Sequence, residues 1–288
     1  MRVPTLTIPS QTTAGGHGGP LRLSRPAVRA FAERRTEPAA AESRFMADFL
    51  ASYGMEPDPV LYARGGGNSF ISMGRELLGG LDRALPAMDL LLLAYHLPDL
   101  QIFEVAGCYL AELCPGRPAA FSVSGLGVGA PFTALRILSC MRLTGGLADG
   151  AVLVLDQSTS PYRDPDVHDG AVRDCAVLLS TDTAGAGDGA VLDFVDEQAV
   201  IDPADPLRAL ARRIPRVRIV AGCVLADRLD PDFRIRHSIV TGPRHRLCTS
   251  AWAALAEHWP RDRYTVVADY DPHEGRLFQA GLRPGART

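Results

Sequence analysis

The segment AAFSVSGLGVGAPFTALRILSCMR, residues 119–142, predicts a short strand, a glycine-rich turn and an apolar helix in direct succession. Two continuous apolar runs flank it, DLLLLAYH at 89–96 and AVLVLD at 151–156. Such runs are typical of strands in a parallel sheet that helices cover on both faces. Strands that alternate with helices in this way predict a layered α/β protein.

The rest of the chain repeats this alternation more weakly, which indicates a duplicated unit with halves at 1–165 and 166–288. We expect a helix over 24–53, broken near Pro38, at the start of the first half. In the second half we expect strands and helices that end in a hairpin over 264–282.

The charged residues exclude several classes of function. All 30 residues counted as Lys+Arg are arginine, because the sequence contains no lysine. Schiff-base chemistry, including a pyridoxal phosphate aldimine, and a P-loop phosphate site each need a lysine. The formal net charge of -3 also argues against a nucleic-acid binder that acts through bulk electrostatics.

The cysteines and the apolar segments bear on the compartment. The six cysteines form no CxxC pair and no zinc spacing with the histidines, so we expect reduced thiols and no metal site. Residues 1–20 lack the apolar core of a signal peptide, and no apolar run is long enough to span a membrane. The sequence therefore predicts a cytoplasmic protein without a membrane role.

Several motifs resemble the ketoacyl-ACP synthase III branch of the thiolase superfamily. The resemblance is most specific over 89–182 and, by order of elements, extends over 69–288. It rests on DLLLLAYHLPD (89–99), on the segment at 119–142, on GAVLVLDQ (150–157), on HDGAVRDCAVLLSTD (168–182), on CTSAWAALAEHW (248–259) and on RYTVVADYDPHEGRLFQAGL (263–282). The resemblance implies the five-layer αβαβα fold of two similar halves, a dimer, and a substrate that is an acyl thioester of CoA or of a phosphopantetheine-bearing carrier protein, with no separate cofactor.

The departures from the family pattern concern its catalytic residues. The family's cysteine nucleophile stands at the start of the buried helix, and this register falls on Gly127, which has no side chain. The family's asparagine register falls near Cys248, and no histidine occurs around 223–230, where the family keeps its own. The resemblance therefore implies a degenerate active site.

Three interpretations of Gly125, Gly127 and Gly129 remain open. The first is a tight strand-to-helix turn. The second is a substrate pocket, edged by His96, in which free N–H groups at a helix start bind a thioester carbonyl or an anion. The third is a dinucleotide site that uses Asp156, although Asp156 lies 156 − 125 = 31 residues after Gly125, further than the roughly 20 residues of the fingerprint.

Three side chains are weak candidates for a substitute nucleophile: Ser124, Cys223 and Cys248. A serine at the end of a strand more often caps the next helix, and a buried cysteine is more often inert.

The densest basic run contains Arg208, Arg212, Arg213 and Arg216. It predicts either a docking surface for an acidic acyl carrier protein or a solvated arginine face.

Three functions follow. The first is a non-catalytic partner subunit, in a homodimer or in a heterodimer with an active ketosynthase of fatty-acid or polyketide-type secondary metabolism. The second is an atypical acyltransferase that uses acyl-CoA or acyl-carrier protein without a cysteine nucleophile. The third is an NAD(P)-binding α/β enzyme.

Overall fold

The computed structural model describes residues 6–7, 19–34, 39–147, 149–182 and 189–285. The strands in this part of the chain are β1 (Leu6–Thr7), β2 (Arg22–Leu23), β3 (Ala27–Ala30), β4 (Leu90–Tyr95), β5 (Ala119–Val123), β6 (Gly150–Asp156), β7 (Cys175–Ser180), β8 (Ala190–Ala199), β9 (Arg218–Ala221), β10 (Val240–Thr241), β11 (Thr265–Asp271) and β12 (Arg276–Pro284). The α-helices are α1 (Ala40–Ala51), α2 (Pro59–Arg64), α3 (Phe70–Gly79), α4 (Ala106–Leu113), α5 (Ala130–Leu143), α6 (Pro165–His168), α7 (Ala204–Arg213), α8 (Cys223–Arg228), α9 (Pro231–Arg236) and α10 (Ser250–Glu257).

The first sheet has the strand order β3-β7-β6-β4-β5. Strand β4 lies parallel to both β5 and β6, as its continuous apolar sequence predicts. Its side chains alternate between two cores: Leu90 and Leu92 pack on the inner face of the sheet, and Leu91 and Leu93 pack on the outer face. An apolar strand without polar alternation is stable here because helices cover both faces.

The second sheet has the order β1-β8-β12-β11-β9-β10, and β2 also pairs with β8. Strands β11 and β12 form the expected antiparallel hairpin, while β9 lies parallel to β11. The two sheets are joined by helices α5 and α10, which lie between them. Phe132 of α5 and Trp252 of α10 are both fully buried, with ring centroids 4.9 Å apart.

Outer helices complete five layers. Helices α3 and α4 cover the first sheet, with Leu77 and Leu110 in its outer core. Helices α7, α8 and α9 cover the second sheet, where Leu207, Leu225 and Phe233 share a core with the strands. The order is helices, sheet, helices, sheet, helices, which confirms the predicted αβαβα architecture.

One expectation about the chain was wrong. Residues 27–30 form strand β3, antiparallel to β7, instead of part of a helix over 24–53, and the helix begins only at Ala40. In addition, β7 pairs with β6 in the first sheet, and β1 and β2 join the second. The chain passes from the first sheet to the second between Ser180 and Ala190, and the division into halves at 165/166 stays a prediction. The glycines over 185–189 predict a turn, which lies largely outside the described residues.

None of the helices in the described part of the chain combines the length and the apolar composition that a bilayer crossing requires.

Candidate functional site

A sharp turn joins β5 to α5 at the centre of the molecule. Gly125 and Gly127 have φ values of +73° and +50°, in the left-handed region that glycine adopts without strain. Residues Gly127–Gly129 form a single 3₁₀ turn, and α5 begins at Ala130 with a proline in its first turn. We call residues 125–129 the elbow.

Gly129 packs directly against the ring of Phe278. A Cβ atom on Gly129 would stand 2.4 Å from Cζ of Phe278, so the ring needs a glycine here. The Gly129 N–H donates to the carbonyl of Leu126 at 2.8 Å. The amide is therefore used inside the turn and is not free to bind substrate in this conformation. Gly125 is exposed, with open space around its Cα.

Cys248 meets the elbow from the other half of the protein. Its Sγ lies 3.3 Å from the carbonyl oxygen of Gly127, and the residue is 1% exposed. Burial raises the pKa of the Cys248 thiol well above its usual range, and the carboxylates of Asp156 and Asp269 raise it further. A thiol held protonated in this way is a poor nucleophile.

The contact between the halves is fixed by the buried carboxylate of Asp156, at the end of β6. It accepts the backbone N–H groups of Leu247, Cys248 and Thr249 at 2.8–3.0 Å, and the Thr249 hydroxyl at 2.5 Å. These bonds hold the start of α10 against the first sheet. They also occupy the carboxylate that a dinucleotide site would use for a ribose, so the NAD(P) interpretation loses its acidic residue.

Cys223 begins α8 near the register in which the resemblance places a histidine. Its Sγ donates to the carbonyl of Arg246 at 2.9 Å, and burial raises the pKa of its thiol. The space beside the preceding Gly222 is filled, because a Cβ there would stand 1.8 Å from the carboxylate of Asp269. No larger side chain fits at Gly222 while Asp269 stays in place.

Ser124 is exposed at the end of β5. The residue that caps the 3₁₀ turn is Leu126, without a side-chain hydrogen bond. The expectation that Ser124 caps the next helix is therefore wrong, and no histidine of the described chain hydrogen-bonds its hydroxyl.

Two histidine–carboxylate pairs lie next to the elbow. Nε2 of His96, at the end of β4, is 3.0 Å from Oδ2 of Asp164. Nε2 of His273, in the β11–β12 turn, is 2.9 Å from Oδ1 of Asp166. The backbone of His96 also lies against the Cys248 thiol. Of these four residues, the sequence indicated only His96 as a site residue, because the other three are distant from it in the chain.

The local charge shifts the titration of these groups. The hydrogen bond to Asp164 raises the pKa of His96, although burial acts in the opposite direction. Burial alone would raise the pKa of Asp164, but the hydrogen bond and charge of His96 hold it below its ordinary value. The bond to Asp166 likewise raises the pKa of His273. Each pair thus favours a cationic imidazole beside a carboxylate.

Comparisons with known proteins identify this arrangement at the level of the fold. No family model matches the chain, and no curated protein does. Solved structures do match over nearly their whole length. The 3-oxoacyl-(acyl carrier protein) synthase III of Xanthomonas oryzae has 11% identity and a TM-score of 0.61, over 92% of this chain and 99% of that chain.

Two further solved structures agree. An OleA variant from Xanthomonas campestris, with cerulenin, has 10% identity and a TM-score of 0.61, over 95% of this chain and 100% of that chain. ChlB3, described as an acyltransferase, has 12% identity and a TM-score of 0.56, over 93% and 99%. The chain has the thiolase-like αβαβα fold of these solved structures.

Within this fold lies an apolar cavity of about 760 Å³, lined in part by Leu97, the residue that follows His96. Helix α1 contributes Phe45 and Phe49, and residues 97–102 and 159–162 line the opposite side. Asp99 is the acidic group at this wall, and its carboxylate accepts the N–H of Phe70 at the start of α3. Burial raises the pKa of Asp99 to about 6.

Only part of the arginine run at 208–216 is free to contact another molecule. Arg208 pairs with Asp205 at 2.6 Å and stacks over the ring of Phe233. Arg212, Arg213 and Arg216 are exposed, and within the described chain none of them forms an ion pair. The basic surface therefore consists of these three residues.

Proposed function

We propose that this protein is a non-catalytic partner subunit of a condensing enzyme that acts on acyl thioesters in fatty-acid or polyketide-type secondary metabolism. It pairs with an active ketosynthase of the same fold, and the pair receives substrate from CoA or from an acyl carrier protein. The proposal rests on the elbow, where Gly127 falls in the register at which the resemblance places the nucleophile and provides no attacking atom.

The groups around the elbow do not replace that atom. The thiols of Cys248 and Cys223 are hydrogen-bonded to backbone carbonyls, and burial raises the pKa of each. Ser124 is exposed without a base. Covalent acyl transfer needs a nucleophile within hydrogen-bond reach of a base, and no such pair is present among the described residues of the elbow.

The charge at the elbow also opposes the reaction. A Cβ atom on Gly127 would be 3.0 Å from Oδ2 of Asp271. Attack on a thioester develops negative charge on the carbonyl oxygen, and a condensing site stabilises that charge with donors. A carboxylate at this distance would repel the developing anion. We therefore assign the elbow a structural role in this subunit.

A surface for the partner lies at the open edge of the first sheet. Strand β5 is the last strand of that sheet, and its outer edge pairs with no strand of the described chain. Phe121 on β5 is 42% exposed. The neighbouring helix α4, which packs on β5 through Gly107 and Ala120, exposes Val105, Tyr109 and Leu113 at helical spacing. We call these four exposed side chains the edge patch.

An unpaired strand edge with flanking apolar side chains is a template for pairing with another chain. A sheet that continues into a second subunit would satisfy the backbone groups of β5 and cover the edge patch. Two copies of this chain would bring together two elbows without a nucleophile. A partner with an intact nucleophile is therefore the occupant that the proposal requires.

Co-expression with an active ketosynthase-fold chain tests the proposal. We expect the tagged protein to retain this partner, and we expect Phe121→Arg to abolish the complex because the substitution places a charge at the sheet edge. The matched control is Ile235→Arg, since Ile235 is 79% exposed on α9, away from the edge patch. Turnover of acyl-CoA or acyl-carrier protein by this chain alone, or a covalent acyl adduct on it, would overturn the proposal.

The second candidate is an atypical acyltransferase, favoured by the His96–Asp164 pair beside the apolar cavity. A histidine with a carboxylate partner can deprotonate an alcohol or amine that attacks a bound thioester directly, without an acyl-enzyme. The isolated chain would then release free thiol from acyl-CoA only when an acceptor is added, and His96→Gln would abolish that release. An isolated chain that releases no thiol with any acceptor leaves the partner subunit as the function.

A further inference from the structure

Four metal-ligating side chains from three distant segments converge next to the elbow. His96 ends β4, Asp164 and Asp166 lie at the start of α6, and His273 lies in the β11–β12 turn. One ligand atom from each of His96, Asp164 and Asp166 lies within 4.8 Å of the others. His273 adds a second imidazole, since its Nε2 is 2.9 Å from Oδ1 of Asp166. We call these four residues the His–Asp cluster.

The distances place three of these four residues, His96, Asp164 and Asp166, within reach of a single small ion. In a tetrahedral site with metal–ligand bonds of about 2.0–2.2 Å, neighbouring ligand atoms lie roughly 3.2–3.6 Å apart. His96, Asp164 and Asp166 already lie within reach of one ion, and the largely exposed side chain of His273, which lies outside this group, would join it by a change of its side-chain torsions. Two imidazoles with two carboxylates form a nitrogen–oxygen donor set that zinc-class ions prefer over magnesium or calcium.

The backbone around the cluster holds these side chains in place. Asp164 caps α6 through Oδ1, which accepts the N–H of Val167, and its Oδ2 remains directed at His96. The backbone of His273 is held in place because its N–H donates to Oδ1 of Asp271 at 2.8 Å. Nε2 is the nitrogen of His96 that faces Asp164 and would bind the ion. Nδ1 is buried and has no partner in the described chain.

The surrounding charge favours a cation. Asp271 lies beside the cluster, because its Oδ1 accepts the backbone N–H of His273 at 2.8 Å. A divalent ion competes with protons for the imidazoles, and the three carboxylates of Asp164, Asp166 and Asp271 add negative charge that favours its binding.

We propose that His96, Asp164, Asp166 and His273 bind one divalent transition-metal ion of the zinc class beside the elbow. The site draws its ligands from both halves of the fold, so that a bound ion ties the β11–β12 turn of the second sheet to β4 and α6. Binding does not depend on whether the subunit is catalytic, and this inference therefore stands or falls separately from the proposed function.

Calorimetric titration with zinc chloride alone tests the site, on full-length chain that has been freed of metal by a chelator and carries no polyhistidine tag. We expect one zinc ion per chain and, at saturating zinc, a higher melting temperature, since a ligand that binds only the folded state stabilises it. Cobalt(II) in place of zinc should give the visible absorption of a four-coordinate ion.

Variants locate the ion. We expect His96→Gln and Asp166→Asn each to weaken zinc binding by about 100-fold, because each removes one of four ligands. Matched controls are His258→Gln at the end of α10 and Asp169→Asn, whose carboxylate pairs with Arg163. Both controls should bind zinc as the unchanged chain does.

The melting temperatures without metal show whether each variant folds. A folded chain that takes up no zinc would overturn the assignment. Binding that His96→Gln and Asp166→Asn leave unchanged would overturn it equally, since the ion would then lie elsewhere.

Discussion

Oδ2 of Asp271 lies 3.0 Å from the position that a Cβ atom on Gly127 would occupy. The carboxylate thus stands where a nucleophilic side chain of the elbow would project. Asp271 also accepts the N–H groups of His273 and Glu274, which fixes its orientation in the β11–β12 turn. The absence of a side chain at Gly127 is consistent with the carboxylate beside it, because a thiolate placed there would be repelled by the carboxylate.

This relationship makes Gly127→Cys a sensitive probe. We expect the new thiol to react slowly with iodoacetamide at neutral pH, because the charge of Asp271 raises its pKa. Gly127→Cys combined with Asp271→Asn should react about 10-fold faster, since the asparagine keeps the turn-capping oxygen and removes the charge. Both variants are made with Cys108→Ser, because Cys108 is exposed and would be alkylated in the background.

Equal alkylation rates for the two variants at neutral pH would show that Asp271 does not face position 127. Since φ at Gly127 is +50°, the cysteine also costs about 1–2 kcal/mol of stability, and this loss should be the same in both variants.

Asp156 is expected to dominate the stability of the contact between the halves. Replacing it with alanine leaves three buried N–H groups without an acceptor, at about 1–3 kcal/mol each. We therefore expect Asp156→Ala to prevent folding and Asp156→Asn, which keeps one acceptor oxygen, to cost about 2–4 kcal/mol in urea unfolding. The control Asp169→Asn removes an exposed ion pair and should cost less than about 1 kcal/mol. Similar costs for the two asparagine variants would contradict this role.

Local pattern was sufficient to predict a layered α/β protein, and the five-layer arrangement was implied by the family resemblance. A few residues are enough to predict strands β4 and β6, because each apolar run is buried on both faces. The glycines of the elbow likewise predict a turn at that position. Ala27–Ala30 could not be predicted in this way. Its composition favours helix, but hydrogen bonds to β7, which lies more than 140 residues later, outweigh a weak local preference.

The candidate site was only partly predictable from the sequence. Gly127, Cys248 and His96 were found through the resemblance or their position at a strand end. The partners Asp164, Asp166 and His273 lie 68 to 107 residues away in the chain from the groups that they contact. No local spacing connects residues that only the packing of two sheets brings together. The sequence did offer one sign of the buried contact between the halves: Asp156, a carboxylate at the end of a buried apolar strand.

Asp269 should make the stability of the protein depend on pH. Burial raises the pKa of its carboxyl to about 7 in the folded state, above the ordinary value of 3.8. The folded protein then holds a proton that the unfolded chain releases, so stability falls as the pH rises from about 4 to about 7. Asp269→Asn removes this dependence.

We expect the free energy of unfolding of Asp269→Asn to increase relative to that of the unchanged chain as the pH rises, by up to about 4 kcal/mol near pH 8. Urea unfolding at several pH values measures the difference. The control is Asp227→Asn, whose exposed carboxylate pairs with Arg244. A stability difference between Asp269→Asn and the unchanged chain that is constant across this range would show that Asp269 titrates normally.

The arginine surface gives the last prediction. Arg212 and Arg213 end α7, and Arg216 follows them with its side chain in solvent, so an acidic carrier protein would meet three cations without competing ion pairs in the described chain. If this surface docks the carrier, Arg212→Glu with Arg213→Glu should weaken binding of an acyl carrier protein by about 10-fold or more and should reduce its dependence on salt. Arg244→Glu is the matched control, because Arg244 is exposed but already paired with Asp227. Should the double variant bind the carrier as tightly as the control does, these arginines are a solvated face and docking occurs elsewhere on the subunit.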